Sequence, residues 1–258
     1  MLGKLLKYEI PALGRKLIPL YIGWCATAAL LGIAVGPLQS KSEFFIVIST
    51  LLYTAAATAV LVMAIVLIIQ RYSNSLLGEE GYFNHVLPVT ASEHIASKGI
   101  SAMIWIFLSG IAMIVTGLII ALFSGAVLNI FDVNWTELFH EIFSHLGFKE
   151  VIFLLEVLIL GVFSITKSVL AIYAAITVGH QAEKRTTLVS IAAYIGLMIF
   201  ESTVTRILLG IFPNLFTEFD GLEGFHVIFI AVVLVLTALS ALYFFLCKYL
   251  MEERLNLN

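Results

Sequence analysis

The sequence predicts an all-α polytopic membrane protein: six transmembrane helices, both termini cytoplasmic, and an amphipathic elbow helix at the amino terminus. Three observations lead there. Of 258 residues, 61% are hydrophobic and 12% charged, and the mean hydropathy is +1.06. A soluble domain carries about 25% charged residues, so this chain has too little polar surface to cover a globule in water. Several apolar runs also reach the ~20 residues that a helix needs to cross the hydrocarbon core. Finally, Lys and Arg fall almost entirely on one side of the loops those runs define.

Residues 1–16 place Leu2, Leu5, Leu6 and Ile10 at helical spacing, with Lys4, Lys7 and Arg15 elsewhere on the turn. That pattern predicts a short helix lying at the inner membrane surface, ended or bent by Pro11. The apolar run from Leu17 to Leu38 is too long for a signal-peptide core and lacks an A-x-A site, so it reads as a retained first span. The remaining spans fall at about 44–70, 100–128, 151–178, 187–211 and 226–248, within one transmembrane domain, 1–258. A tight external turn follows the first span, from Gly36-Pro37 to Glu43. The longest hydrophilic stretch is Arg71–Gly99, and residues 129–150 form a moderately polar loop with Trp135 and several acids.

Orientation follows from the basic residues, whose translocation is disfavoured. With the amino terminus inside, Lys4, Lys7, Arg15, Lys16, Arg71, Lys98, Lys184, Arg185, Lys248 and Arg254 are cytoplasmic, and only Lys41 and Lys149 fall in external loops. The net charge of −3 gives no reason to expect nucleic acid. Cys25 and Cys247 both sit in apolar runs without metal-like or CxxC spacing and read as inert buried thiols.

Four charges remain inside predicted spans: Glu156 and Lys167 in the fourth, Glu201 and Arg206 in the fifth. Each costs ~2.5–3.5 kcal/mol on insertion scales, so each needs a partner or a wet cavity. At 1.5 Å per residue, Lys167 lies about 16 Å from the inner end of its helix and Glu201 about 20 Å from the inner end of the next. Glu156 and Arg206 are similarly matched toward the outer side. Two inter-helix ion pairs are therefore expected, Lys167–Glu201 and Glu156–Arg206. They would either pin the hairpin together or line a translocation path.

No enzyme is visible. His140 and His145 flank a Glu but are five apart, about 140° around a helix, where a zinc-binding HExxH needs four. There is no P-loop and no Ser or His beside a Gly-rich nucleophile turn. Asn134-Trp135-Thr136 fits a glycosylation sequon, a pattern common by chance.

The segment Arg71–Gly99 carries the most information. Gly78 and Gly81 break helix, an aromatic-rich turn follows, and Pro88 ends it. Thr90 or Ser92 can then cap the next helix. Tyr82, Phe83, Val86 and Leu87 form an apolar cluster at the cytoplasmic edge, suited to a groove on a partner protein or to resting on lipid.

The amino-terminal segment MLGKLLKYE, the six spans and the loop GEEGYFNHVLPVTASEHIASK resemble the bacterial type-2 ABC exporter permeases. That family carries a Glu, then Gly, a Leu-Pro-Val-(Ser/Thr) turn and a Lys entering the next helix. The matching positions here are Glu79 or Glu80, Gly81, Leu87-Pro88-Val89-Thr90 and Lys98. The resemblance implies a multi-pass permease of the bacterial cytoplasmic membrane with no cofactor of its own. ATP and Mg would belong to a separate ATPase subunit, and a second permease chain, identical or paralogous, would complete the membrane unit. A coupling helix around Glu79, Glu80, Gly81, Tyr82, Phe83, His85, Leu87 and Pro88 would enter the ATPase groove, approached also by the elbow with Lys4 and Lys7. Residues 212–225 would suit the polar outer segment that the family has before its last span. The implied cargo is an amphipathic peptide or another hydrophobic compound. The competing reading is an ion-coupled secondary transporter using Glu156, Lys167, Glu201 and Arg206, although no inverted repeat or pair of broken spans is apparent. A structural or assembly role in the membrane is the third.

Overall fold

The computed structural model describes residues 2–36, 43–78, 89–125, 136, 147–182, 185–211 and 221–253. Among them there are six long helices and no strand. We label the helices α1 (Leu2–Val35), α2 (Glu43–Tyr72), α3 (Ala91–Phe123), α4 (Phe148–Gly179), α5 (Thr186–Ile211) and α6 (Gly221–Glu253). Among the described residues, five stretches are long and apolar enough to cross a membrane: Leu2–Val35, Glu43–Leu77, Ala91–Phe123, Thr186–Leu208 and Phe225–Glu252. The chain is thus a multi-pass helical membrane protein by length and composition. Helix α4 is not one of the five. It carries Lys149, Glu150, Glu156 and Lys167, and most of its last turns, Val169–Gly179, are buried in protein.

Pro11 does not end the first helix. Leu2–Val35 is continuous, with Pro11 and Pro19 both inside it, so the elbow expected over residues 1–16 is not a separate element. Proline at position 11 removes the bond its N–H would give the Lys7 carbonyl and crowds that carbonyl with its ring, yet the helix runs on through it. The indole Nε1 of Trp105 donates to the neighbouring Ile10 carbonyl at 3.1 Å, which ties this turn to α3. The amphipathic pattern is real all the same: Leu2, Leu5, Leu6 and Ile10 are half-buried, whereas Lys4 and Lys7 are exposed.

The chain forms two compact units. One comprises Met1–Leu6, Ile69–Met103 and Leu146–Asn258; the other comprises Lys7–Ile68 and Ile104–His145. In the first, α4 is the hub, packed against α5, α6 and the five-residue π-helical turn Ser73–Leu77 that continues α2. In the second, neutral groups join α1 and α2 to α3 at several points. Ser109 donates to the Trp105 carbonyl at 2.9 Å, so its oxygen is left to accept from the Tyr21 hydroxyl at 2.7 Å. Thr116 likewise donates to the Met113 carbonyl and accepts from Tyr53 at 3.2 Å. A Cβ added to Gly32 would come within 2.7 Å of the Phe123 Cβ and 2.8 Å of the Ile120 carbonyl oxygen. This is the small-residue contact by which apolar helices approach in lipid.

The wide apolar exteriors follow from the same logic. Ile22, Val62, Ile114, Leu158, Ile199 and Leu234 are all exposed, as side chains facing hydrocarbon would be. With no hydrophobic drive between helices in lipid, packing and polar contacts must hold the bundle.

Candidate functional site

The polar chemistry of the first unit lies along α4 at three levels. Lys167 is at the middle one, and its Nζ donates to Glu201 Oε2 on α5 at 2.8 Å. The other carboxylate oxygen, Oε1, accepts from the Tyr243 hydroxyl on α6 at 2.8 Å. Three helices therefore meet on one carboxylate. The Lys167 and Glu201 side chains are 18% and 19% exposed, and Tyr243 is fully buried. Both Glu201 oxygens are satisfied and its charge is matched, which an ionised group needs once water is excluded.

The second level is Glu156, whose Oε2 lies 2.7 Å from Nδ1 of His226 at the start of α6. Beside it Phe153 and Phe225 pack with centroids 4.5 Å apart. The expected Glu156–Arg206 pair does not form, and Arg206 is exposed. The reason is register. The antiparallel α4–α5 hairpin is fixed by Lys167 opposite Glu201. Continuing that register, Arg206 falls about six residues short of the position facing Glu156, or about 9 Å along the axis. Helix α6 runs parallel to α4 and brings His226 to that height instead.

The third level is the most buried. Tyr72 stacks on Tyr173 with centroids 3.9 Å apart and planes at 8°. Thr177 donates to the Tyr173 carbonyl, so its oxygen accepts from the Tyr72 hydroxyl at 2.9 Å. Tyr173 in turn donates to the carbonyl of Lys98 on α3 at 3.2 Å. His180 Nδ1 lies 2.9 Å from the Ile176 carbonyl oxygen. A neutral ring donating there keeps Nε2 as an acceptor for Ser73, 3.3 Å away. Tyr72, Leu76, Ile95, Ala174 and Thr177 are all fully buried, and Lys98 is 4% exposed.

Residues that flank the segment marked for coupling enter this buried cluster, Leu76 on one side and Ile95 and Lys98 on the other. On one side stands the π turn, with Ser75, Leu76 and Leu77 buried. On the other, α3 begins with a reciprocal cap. Glu93 N–H donates to Thr90 Oγ1 at 3.3 Å, and Thr90 N–H donates to Glu93 Oε2 at 3.3 Å. This is the capping box, which satisfies two donors at a helix start; of the two residues suggested as caps, Thr90 is the one used. Glu79, Glu80, Gly81, Tyr82, Phe83, His85, Leu87 and Pro88 themselves lie outside the described residues.

Sequence reasoning missed His226 and Tyr243. Both carry a usable signal: a ring nitrogen or a phenol in an otherwise apolar span needs a partner when buried. Neither belongs to the Asp, Glu, Lys and Arg set that insertion costs single out. Cys247 is buried as expected, while Cys25 is half-buried; both are free thiols. The described residues hold no cluster of three or more His, Cys, Asp or Glu suited to a metal, and the segment from His140 to His145 lies outside them. No family model, curated protein or solved structure matches the chain.

Proposed function

We propose that this chain is the membrane permease subunit of an ATP-driven exporter of the bacterial cytoplasmic membrane. In this reading it has six spans and cytoplasmic termini, with α4 as the fourth span. It pairs with a second permease chain and with a separate ATPase that supplies ATP and Mg chemistry. The observation that carries the reading is the setting of residues 79–88. Their sequence resembles a coupling segment, and both flanks are tied down: the buried π turn before it, and after it the solvent-facing capping box of Thr90 and Glu93 followed by the buried Ile95 and Lys98. A segment that transmits force from an ATPase needs two rigid stems, so that a push moves helices rather than bending a loop. Phe83 and Leu87 are its apolar knobs, and the exposed Lys4 and Lys7 sit near the start of α1. The cargo we assign is an amphipathic peptide or a similar hydrophobic compound, which suits an apolar chain with short external loops better than a sugar would.

The test is co-purification in detergent with ATPase subunits encoded in the same organism. A complex whose ATP turnover falls several-fold in Phe83→Ala or Leu87→Ala, with membrane insertion unchanged, supports the reading. Normal assembly and turnover in both variants removes it. The polar levels along α4 favour a second reading, an ion-coupled secondary transporter. In that case no ATPase binds, and transport follows the proton gradient and is lost in Glu201→Gln.

A further inference from the structure

A groove of about 450 Å³ opens on the face of the second unit between α1 and α3, lined by Ile10, Pro11, Gly14, Ile18, Pro19 and Trp105, with Arg15 at its edge. Its depth comes from Gly14. A Cβ there would sit 2.7 Å from Trp105 Cζ2, so the missing side chain lets the indole lie against the α1 backbone. The two prolines add rings without donors, and the wall is almost wholly apolar.

Charge is placed around this groove with one sign. Helix α1 carries Lys4, Lys7, Arg15 and Lys16 against a single acid, Glu9. At 100° per residue, Lys7, Tyr8, Pro11, Arg15 and Ile18 fall within an arc of about 100°, and all five are exposed. Glu9 lies about 120° from Arg15 on that wheel and is buried. From Gly99 to Phe123, α3 contributes no charged residue to the facing wall. Among the described residues Arg15 has no carboxylate partner. Tyr8 is 74% exposed on the same face, as an aromatic at headgroup level would be.

We infer that this groove is a binding site for an anionic phospholipid, with one acyl chain along Pro11, Ile18 and Trp105 and the phosphate held by Arg15 with help from Lys7. A guanidinium offers a paired set of donors that fits phosphate oxygens, and basic pockets between spanning helices favour anionic headgroups. Lys7 lies about 12 Å down the helix from Arg15, within reach of a headgroup whose phosphate rests on the arginine. The apolar run that begins at Leu17 puts Arg15 at the boundary between headgroup and hydrocarbon. The inference rests only on the chain's lying in a bilayer, and it holds or fails independently of the exporter reading.

The test uses the full chain with Trp24 and Trp135 replaced by Phe, so that Trp105 is the only indole. It is reconstituted in phosphatidylcholine vesicles containing a minor fraction of phosphatidylglycerol with brominated chains. Expected is strong quenching of Trp105, relieved by unbrominated phosphatidylglycerol but not by phosphatidylcholine. Arg15→Gln should weaken that preference roughly fivefold, and Lys16→Gln, about 100° away on the helix, should leave it nearly unchanged. Equal quenching by brominated phosphatidylcholine and phosphatidylglycerol overturns the inference and leaves a face covered by bulk lipid. An equal loss in Arg15→Gln and Lys16→Gln overturns it too, because the attraction would then be a diffuse surface effect. Should the single-Trp chain fold poorly, native mass spectrometry of the chain with all its tryptophans intact separates the same outcomes. It counts retained phosphatidylglycerol against phosphatidylcholine, and an unchanged ratio in Arg15→Gln overturns the inference.

Discussion

The two compact units solve the same packing problem with different chemistry. In the unit formed by Lys7–Ile68 and Ile104–His145, neutral groups join helices at three places among the described residues: Tyr21 with Ser109, Tyr53 with Thr116, and Gly32 under Phe123. In the unit built around α4, charged and imidazole groups meet carboxylates: Lys167 with Glu201, and His226 with Glu156. Neutral contacts are cheap to bury and also easy to shift by a turn, because another hydroxyl or small residue can substitute. A charge in the membrane is tolerated only opposite its partner. The α4 pairs therefore fix the register of three helices, whereas the α1–α3 contacts depend on close surfaces.

This contrast predicts its largest effect at Lys167. Lys167→Met leaves Glu201 without its cation in a setting about four-fifths buried, and breaking one side of a buried pair costs about 3–5 kcal/mol. The double variant Lys167→Met, Glu201→Gln removes both charges, while Tyr243 still finds an acceptor in Gln. It should recover most of the lost stability in a detergent-titration unfolding assay. If single and double variants are equally damaged, Lys167 and Glu201 do not act as a pair, and the distinction between the two units fails at its centre.

Next in size is a steric test of the neutral unit. Gly32→Ala forces a methyl against the Phe123 Cβ and the Ile120 carbonyl, where backbone cannot yield cheaply. Overpacking of this kind costs about 1–3 kcal/mol. Gly117→Ala on α3 meets nothing within 4 Å and should be neutral or slightly stabilising through helix propensity. Thermal melts of the two variants in one detergent make the comparison. Equal melting temperatures would mean that the α1–α3 contact is looser than its geometry implies.

What is legible in the sequence divides along the same line. The helices are legible because runs such as 44–70 and 187–211 are set by apolar length, a local property, and α2 and α5 match them within two residues. The Lys167–Glu201 contact is legible because a short turn makes α4 and α5 antiparallel neighbours, and rise per residue then fixes who faces whom. The partner of Glu156 is not, because it comes from α6, 70 residues away, at a height that no hairpin rule sets. The continuity of α1 is hidden for a similar reason. Pro11 reads locally as a helix breaker, and the indole that ties its turn to α3 is a tertiary contact.

The smallest predicted effect separates the units by one hydroxyl each. Tyr243→Phe removes a donor from the Glu201 carboxylate, where the bond is charge-assisted and 2.8 Å long. Tyr53→Phe removes a 3.2 Å bond to Thr116, whose hydroxyl already donates to its own helix. Hydrogen bonds between membrane helices average about 0.6 kcal/mol, whereas bonds to charged groups are worth about 1.5–3 kcal/mol. Tyr243→Phe should therefore lose roughly 1–2 kcal/mol, and Tyr53→Phe no more than about 0.5 kcal/mol. The Tyr243 deficit should also shrink when Glu201 is already Gln, because a neutral acceptor gains less from the donor. A double-mutant cycle across Tyr243 and Glu201 reads that coupling directly, and a coupling near zero would mean that α6 is held in register by packing around Tyr243 and not by the carboxylate.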